Sequence, residues 1–149
     1  MIMKYVSICL LLCAVCCAPS SRKTAADGPR VRSWSLVDVD PLNSHIDDAV
    51  TAGEDWPRSA LLATLELFGG ESDTRTLSLT VEGNRGEVPD TMIIVMTRDG
   101  FLDDSVRGDW HWTALHRKDD FTWRFHEIRR AFRCRRGGNV EMYVAEWCS

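Results

Sequence analysis

The 149-residue sequence contains no motif that is specific to a catalytic reaction. A G-x-S-x-G nucleophile turn, an H-E-x-x-H zinc signature and a Walker-type phosphate loop are all missing. The one C-x-x-C spacing, CAVC at residues 13–16, lies in an apolar N-terminal run, where it reflects composition. Acidic residues are too numerous for any two to be singled out as an acid/base pair. These absences favour a protein that acts by binding or structure, and we expect no enzymatic activity.

Metal-ligand spacing is missing as well. The four histidines are His45, His111, His116 and His126. Structural zinc sites use ligands at close, repeated spacings, whereas an offset of five residues in a strand would place His111 and His116 on opposite faces. The segment DGFLDDS at residues 99–105 carries three aspartates but lacks the alternating pattern of a calcium-binding EF-hand. We therefore expect neither a metal site nor a cofactor.

The N-terminal apolar run is short. It covers residues 5–18, after Lys4, and a transmembrane helix needs roughly 20 residues. The pattern is typical of a secretory signal peptide, which we assign to residues 1–17. The stretch AVCC, ending at Cys17, resembles a bacterial lipobox, in which a cysteine becomes the lipidated first residue. We predict lipidation at Cys17, with Cys16 as the fallback; alternatively, these cysteines are apolar filler in a cleaved signal.

A flexible tether is predicted after the signal. Residues 18–33 begin with APSSRKTAADGPR, which is rich in small residues and has no apolar period. Such a spacer would hold a membrane-anchored domain away from the lipid headgroups, and we assign the folded domain to residues 34–149. Ala18 after the lipidated cysteine resembles the pattern for outer-membrane sorting. We therefore expect an exported protein of the bacterial cell envelope, facing the periplasm if the source is Gram-negative.

Two helices and at least four strands are predicted for the domain. Asp40 and Pro41 begin the first helix and Gly53 ends it; Asp55 begins the second, which stops at residues 69–70. Strands are predicted from period-two or continuous apolar patterns at residues 74–82, 92–96, 110–115 and 121–134, with a short fifth near 141–144. The apolar phase slips within the last long strand, which predicts a β-bulge near His126 and Glu127.

This order of elements predicts an α+β fold. One or two N-terminal helices would pack on a curved antiparallel sheet of four to five strands, around a core supplied by the 44% of residues that are hydrophobic. The arrangement resembles cystatin-like and NTF2-like folds. That resemblance concerns architecture and carries little information about function.

Only Cys134 and Cys148 remain after the signal, and an even pair in an exported protein favours a disulfide over a metal clip or a redox pair. A two-residue hairpin turn at residues 137–138 would leave the two cysteines roughly 23 Å apart at strand rise. A disulfide needs Cα atoms within about 7 Å. We therefore predict a wide loop closed by the disulfide, which would stabilise the domain by about 3 kcal/mol.

Charge is unevenly distributed. Residues 38–104 contain fifteen acidic and four basic residues, a balance of −11, and residues 105–136 contain nine basic and four acidic ones, a balance of +5. Export, the acidic total and the lack of a recognisable module argue against nucleic acid as a partner. The basic strand and three of the six tryptophans form a candidate binding surface, with core packing of these tryptophans as the alternative. Its residues are Trp110, Trp112, Trp123, Arg129 and Arg133.

The C-terminal third carries a resemblance. The stretches DDSVRGDWHW, FTWRF, RCRRGG and EWC, between residues 103 and 148, resemble bacterial exported proteins and lipoproteins. These share a tryptophan-rich hairpin followed by a C-terminal cysteine pair, and the resemblance brings no activity with it.

The sequence favours a non-enzymatic, membrane-anchored lipoprotein whose partners are the membrane, through its lipid, and an envelope protein. The alternative is a soluble periplasmic ligand-binding or inhibitor domain of cystatin-like or NTF2-like form. An exposed aromatic groove would favour that second hypothesis. A deep polar cavity that holds His111 or His126 against a carboxylate would instead favour an enzyme.

Overall fold

A computed structural model describes residues 28–70, 74–137 and 140–149. Two helices pack against a five-stranded antiparallel sheet of order β1-β5-β4-β3-β2, so the predicted α+β class is confirmed. The predicted signal peptide and the lipidation sites Cys17 and Cys16 lie outside the described residues. The elements are β1 Ser35–Leu36, α1 Asp40–Ala52, α2 Ala60–Phe68, β2 Thr76–Gly83, β3 Thr91–Asp99, β4 Val106–Arg117 and β5 Trp123–Cys134.

The helices begin and end close to the predicted residues. Pro41 lies in the first turn of α1, and Gly53, at φ 80°, ends the helix by donating its N–H to the carbonyls of the last turn. The start predicted at Asp55 belongs to a 3-10 turn at Trp56–Arg58. Ser59 is the actual cap of α2, because its Oγ accepts from the N–H of Leu62 at 3.3 Å.

The β-bulge lies at the predicted place. Ala114 of β4 is opposite Glu127, and the next residue, Leu115, is opposite Phe125, so His126 is the extra residue on β5. A bulge of one residue reverses the alternation of the side chains that follow. Phe125 and Ile128 therefore point to the same side of the sheet, where both are buried.

The main core lies between that side of the sheet and the two helices, and we call this side the helix-packed face. Its buried residues are Ile46, Ala60, Ile94, Leu115, Trp123, Phe125 and Ile128. Each fully buried aliphatic or aromatic side chain contributes about 1.5–3 kcal/mol relative to its exposed state. The opposite side, the outer face, carries a smaller cluster of Trp110, Ala131 and Tyr143.

The C-terminal segment confirms the predicted disulfide and corrects the predicted tether. Cys134 and Cys148 are bonded, with Cα atoms 5.4 Å apart. The chain between them turns back onto β5, where the N–H of Phe132 donates to the carbonyl of Val144 at 2.8 Å. Tyr143 donates its N–H to the carbonyl of Arg30 at 2.9 Å. Residues 30–33 are therefore part of the packed domain and not of the tether, because they pair with this segment.

The outer edge of β5 is occupied along most of its length. β1 pairs with residues 129–130, and the backbone N–H of Val37 donates to the carbonyl of Ile128 at 3.0 Å. The side-chain amide of Asn43 both donates to and accepts from the backbone of Phe125, each at 2.9 Å. Little of this edge is left to pair with another chain.

Candidate functional site

A groove of about 500 Å³ opens on the helix-packed face, beyond the end of α2. This volume lies in the range of about 300–1,000 Å³ that small-molecule sites occupy. The lining side chains come from α2, three neighbouring strands, the loop between β3 and β4, and the C-terminal segment. They are Leu67, Phe68, Arg98, Phe101, Asp103, Val106, Asp109, His111, Arg130, Phe132 and Trp147.

The polar floor of the groove is a connected cluster of three side chains. Arg98 of β3 lies opposite Asp109 of β4 and binds its carboxylate through two hydrogen bonds, of 2.9 Å from Nε and 2.5 Å from Nη2. His111 lies two residues further along the same face of β4. Its Nε2 is 3.1 Å from Oδ2 of Asp109, the oxygen that also accepts from Nη2 of Arg98. Burial disfavours the charge on Asp109, but the hydrogen bonds from His111 and Arg98 outweigh it and keep the pKa of Asp109 below its ordinary value.

The imidazole of His111 is covered. His111 is only 2% exposed, and the ring of Phe68 lies over its imidazole, with the ring centroids 4.7 Å apart. Nε2 is engaged by Asp109, and Nδ1 is buried without a hydrogen-bond partner among the described residues. Because neither ring nitrogen faces the groove openly, the cluster is suited to bracing the floor and poorly suited to exchanging protons with a bound molecule.

Arg130 is a cation with no carboxylate partner in the part of the chain that the structure describes. Its Nε is buried and has no hydrogen-bond partner among residues 28–70, 74–137 and 140–149. The guanidinium carbon lies 5.0 Å from the ring centroid of Phe132, which is a cation–π distance. Arg98, in contrast, is already paired with Asp109. Arg130 lines the groove and forms no ion pair with a carboxylate of the described residues, so its guanidinium favours an anion there.

The disulfide holds the outer wall of the groove. Trp147 is 66% exposed and packs edge-on against Phe132, with ring centroids 4.5 Å apart. The next residue, Cys148, is buried and bonded to Cys134 at the end of β5. The covalent bond therefore keeps a large, exposed indole beside the groove.

The residues that the sequence singled out as a binding surface are placed differently. Trp110, Trp112, Arg129 and Arg133 lie on the outer face, but Trp123 is on the helix-packed face, buried in the core. The reason is the register: Trp123 pairs with Arg117 and belongs to the same side as Phe125. Trp123 is therefore removed from the surface shared by the other four residues.

On the outer face, Arg129 and Arg133 have carboxylate partners among the described residues, although the Nε of Arg133 is buried without a hydrogen-bond partner. Arg129 lies between the rings of Trp34 and Trp112, at 5.1 and 4.4 Å, and Glu127 accepts from its Nε at 2.5 Å. Arg133 pairs with Asp99 and lies 5.2 Å from the ring of Tyr143. Because these groups already have partners, the outer face offers less to a ligand than the groove does.

Sequence reasoning missed the groove. It predicted no ligand role for His111 and did not single out Asp109, Arg98 or Arg130. The available signal was the alternation in β4, which places Asp109 and His111 on the face opposite the tryptophans. That two polar residues share the helix-packed face indicated either a buried pair or a site.

In the described part of the chain, no group of three or more histidine, cysteine or carboxylate side chains is arranged to hold a metal ion. Likewise, no described helix is both long and apolar enough to cross a membrane. Comparison of the chain with protein-family models, with curated proteins and with solved structures gave no match.

Proposed function

We propose that this protein is an exported, lipid-anchored binding protein of the bacterial cell envelope, and that it binds a small amphipathic anion in the groove beside Trp147. The observation that carries the ligand class is the pairing of an apolar wall with Arg130, which lines the groove and has no carboxylate partner among the described residues. The rings of Phe101, Phe132 and Trp147 suit an aromatic or aliphatic body. Arg130 suits a single carboxylate, sulfonate or similar group.

The geometry favours binding over catalysis. His111 contacts a carboxylate, which is the arrangement that would favour an enzyme, yet Phe68 covers its ring and Asp109 occupies Nε2. Among the described residues that line the groove there is no serine, threonine or cysteine to act as a nucleophile. The proposal is therefore that the Arg98–Asp109–His111 cluster fixes the floor, while Arg130 and Trp147 contact the ligand.

Two fluorescent probes test the ligand class. Anilinonaphthalene sulfonate carries an aromatic body and one anion, and N-phenylnaphthylamine has the same body without the anion. We expect Trp147→Ala to weaken both probes, because the indole contacts the shared body. Arg130→Gln should weaken only the sulfonate, by about 10- to 100-fold, since a hydrogen bond to a charged group contributes about 1.5–3 kcal/mol.

Control variants on the outer face separate the groove from non-specific binding. Trp34→Ala removes another exposed indole, and Arg129→Gln removes another arginine of β5, which stacks on Trp34. Neither change should affect either probe. Equal loss of both probes in Arg130→Gln, or equal loss in the Arg129→Gln control, would contradict the proposed role of Arg130.

The proposed anchor is a diacyl or triacyl modification of Cys17, with Cys16 as the fallback, followed by a tether that ends at about residue 29. The membrane would be contacted through the lipid, and an envelope protein is the proposed macromolecular partner; nucleic acid is not. Intact mass of the membrane-extracted chain should show the lipid on a chain that begins at Cys17, and Cys17→Ser should abolish it. An unmodified soluble chain that begins elsewhere would refute the anchor.

An unmodified soluble chain would favour the alternative function, a soluble periplasmic ligand-binding or inhibitor domain of cystatin-like or NTF2-like form. Two helices on one face of an antiparallel sheet support this finer description of the fold. The proposed ligand class and the two probe experiments apply to both hypotheses, because the residues that line the groove are the same with or without a lipid anchor and whichever fold family the domain resembles.

A further inference from the structure

The other edge of the sheet, formed by β2, has no neighbouring strand in the part of the chain that the structure describes. β2 spans eight residues, Thr76–Gly83, and pairs only with β3. The residues at its centre, 77–81, read LSLTV and include no proline and no charge. Natural edge strands are commonly protected by lysine, proline, a bulge or a covering segment. This unprotected strand is therefore a candidate pairing surface.

The backbone groups that face outward can be assigned from the register. The N–H of Asn84 donates to the carbonyl of Thr91 at 3.1 Å, and β2 and β3 pair without a register shift from there. In an antiparallel pair, alternate residues bond to the neighbour and the residues between them point away. Leu77, Leu79 and Val81 consequently direct their N–H and C=O groups to the unpaired side.

The side chains of the same three residues form an incompletely covered apolar row. They lie on the helix-packed face, opposite Arg98, Met96 and Ile94 in the register. Leu77 is 46% and Val81 42% exposed, and Leu79 is half-buried. An added strand would thus bury apolar side chains and satisfy backbone groups at once.

We propose that a second copy of this chain occupies the edge, pairing β2 with β2 in antiparallel orientation about a two-fold axis at Leu79. In this register Leu79 faces its own counterpart, and Leu77 of each copy faces Val81 of the other. All three outward-pointing residues then find apolar partners, with about six inter-chain hydrogen bonds. A shift of two residues in one direction sets Val81 against Arg75, and in the other it sets Leu77 against Gly83.

The opposite edge of the sheet explains why the assembly would stop at two copies. The outer edge of β5 is already paired with β1, Val37, Asn43 and Val144. A sheet with one available edge forms a closed dimer, whereas two available edges would allow open-ended growth. The product is a continuous ten-stranded sheet with a protected strand at each end.

Disulfide cross-linking of the full chain in the exporting cell tests the register. Ser78 and Thr80 are exposed, and in the proposed dimer Ser78 of one copy faces Thr80 of the other at a non-hydrogen-bonded pair, with Cα atoms about 4.5 Å apart. Ser78→Cys co-expressed with Thr80→Cys should therefore give a covalent dimer on a non-reducing gel. Leu36→Cys and Leu102→Cys, at exposed positions elsewhere, should give none.

Charge variants of the full chain test self-pairing without cross-linking. Leu77→Lys with Val81→Lys, and Leu77→Asp with Val81→Asp, should each abolish co-purification of two differently tagged copies. Co-expression of the lysine variant with the aspartate variant should restore it, because opposite charges then face each other. Leu36→Lys with Leu102→Lys is the matched control and should behave like the wild type.

The results are interpretable even where a variant folds poorly, since the mixed charge pair and the cysteine pair alter different residues. A cross-link in the mixed cysteine pair together with rescue in the mixed charge pair would support the dimer. Tagged wild-type copies that do not co-purify, together with Ser78→Cys and Thr80→Cys variants that do not cross-link, would overturn it. A cross-link from Ser78→Cys to a different protein would overturn self-pairing as well.

Discussion

Removal of the disulfide should lower stability and weaken the groove together. In the double variant Cys134→Ser with Cys148→Ser, the fifteen-residue ring closed by the bond opens. The chain-entropy model assigns about 3 kcal/mol to a ring of this size. At about 4 °C per kcal/mol for a domain of this length, the melting temperature should fall by roughly 12 °C. The contact between Phe132 and Trp147 should loosen as well, because Trp147 adjoins the released cysteine.

Two measurements on the same protein test this reasoning. Urea denaturation, followed by far-ultraviolet circular dichroism, should report a free energy of unfolding about 3 kcal/mol lower, with the sheet retained in the absence of urea. Both naphthalene probes should bind more weakly, whereas the Trp34→Ala control should leave the free energy of unfolding within about 1 kcal/mol of the wild type. An unchanged midpoint together with unchanged probe binding would refute the argument that the disulfide holds this wall.

Three further predictions concern the groove floor and the core. Asp109→Asn should lower the free energy of unfolding by about 3–5 kcal/mol, because Arg98 would be left buried without its anion; an effect below 1 kcal/mol would contradict this. The pKa of Asp109 is depressed in the folded state, so its contribution is present above the unfolded value of about 3.9 and is lost as pH falls through the folded value. Urea denaturation at a series of pH values from 7 to 3 should therefore show that the free energy of unfolding falls more steeply with decreasing pH in the wild type than in Asp109→Asn. Leu115→Ala should cost about 2–5 kcal/mol in the same assay and the exposed Leu36→Ala close to none.

The features that the sequence predicted correctly depend on local or covalent constraints. Gly53 ends α1 because its left-handed conformation suits glycine, and the slip of the apolar phase located the bulge at His126. The disulfide followed from elimination, since only Cys134 and Cys148 lie beyond the apolar N-terminal run.

The features that the sequence did not predict depend on contacts between distant segments. Residues 30–33 have the composition of a tether, yet they pair with residues more than a hundred positions later in the chain. β1 is only two residues long and carries no periodic signal of its own. Both are held by their neighbours and not by propensity.

The groove illustrates the same limit at the level of side chains. Arg98, Asp109 and Arg130 each belong to a different strand, and they meet only because the three strands pair in one register. Alternation predicts which residues of one strand share a face, but it does not state which faces of neighbouring strands coincide. The same ambiguity grouped Trp123 with residues on the opposite side of the sheet.

The central claim, a groove that selects amphipathic anions through Arg130, is tested most directly by the ratio of two dissociation constants. In the wild-type protein, anilinonaphthalene sulfonate should bind more tightly than the uncharged N-phenylnaphthylamine. In Arg130→Gln the preference should fall by about 10- to 100-fold, with the affinity for the uncharged probe unchanged. A preference that is the same in both proteins would contradict the claim.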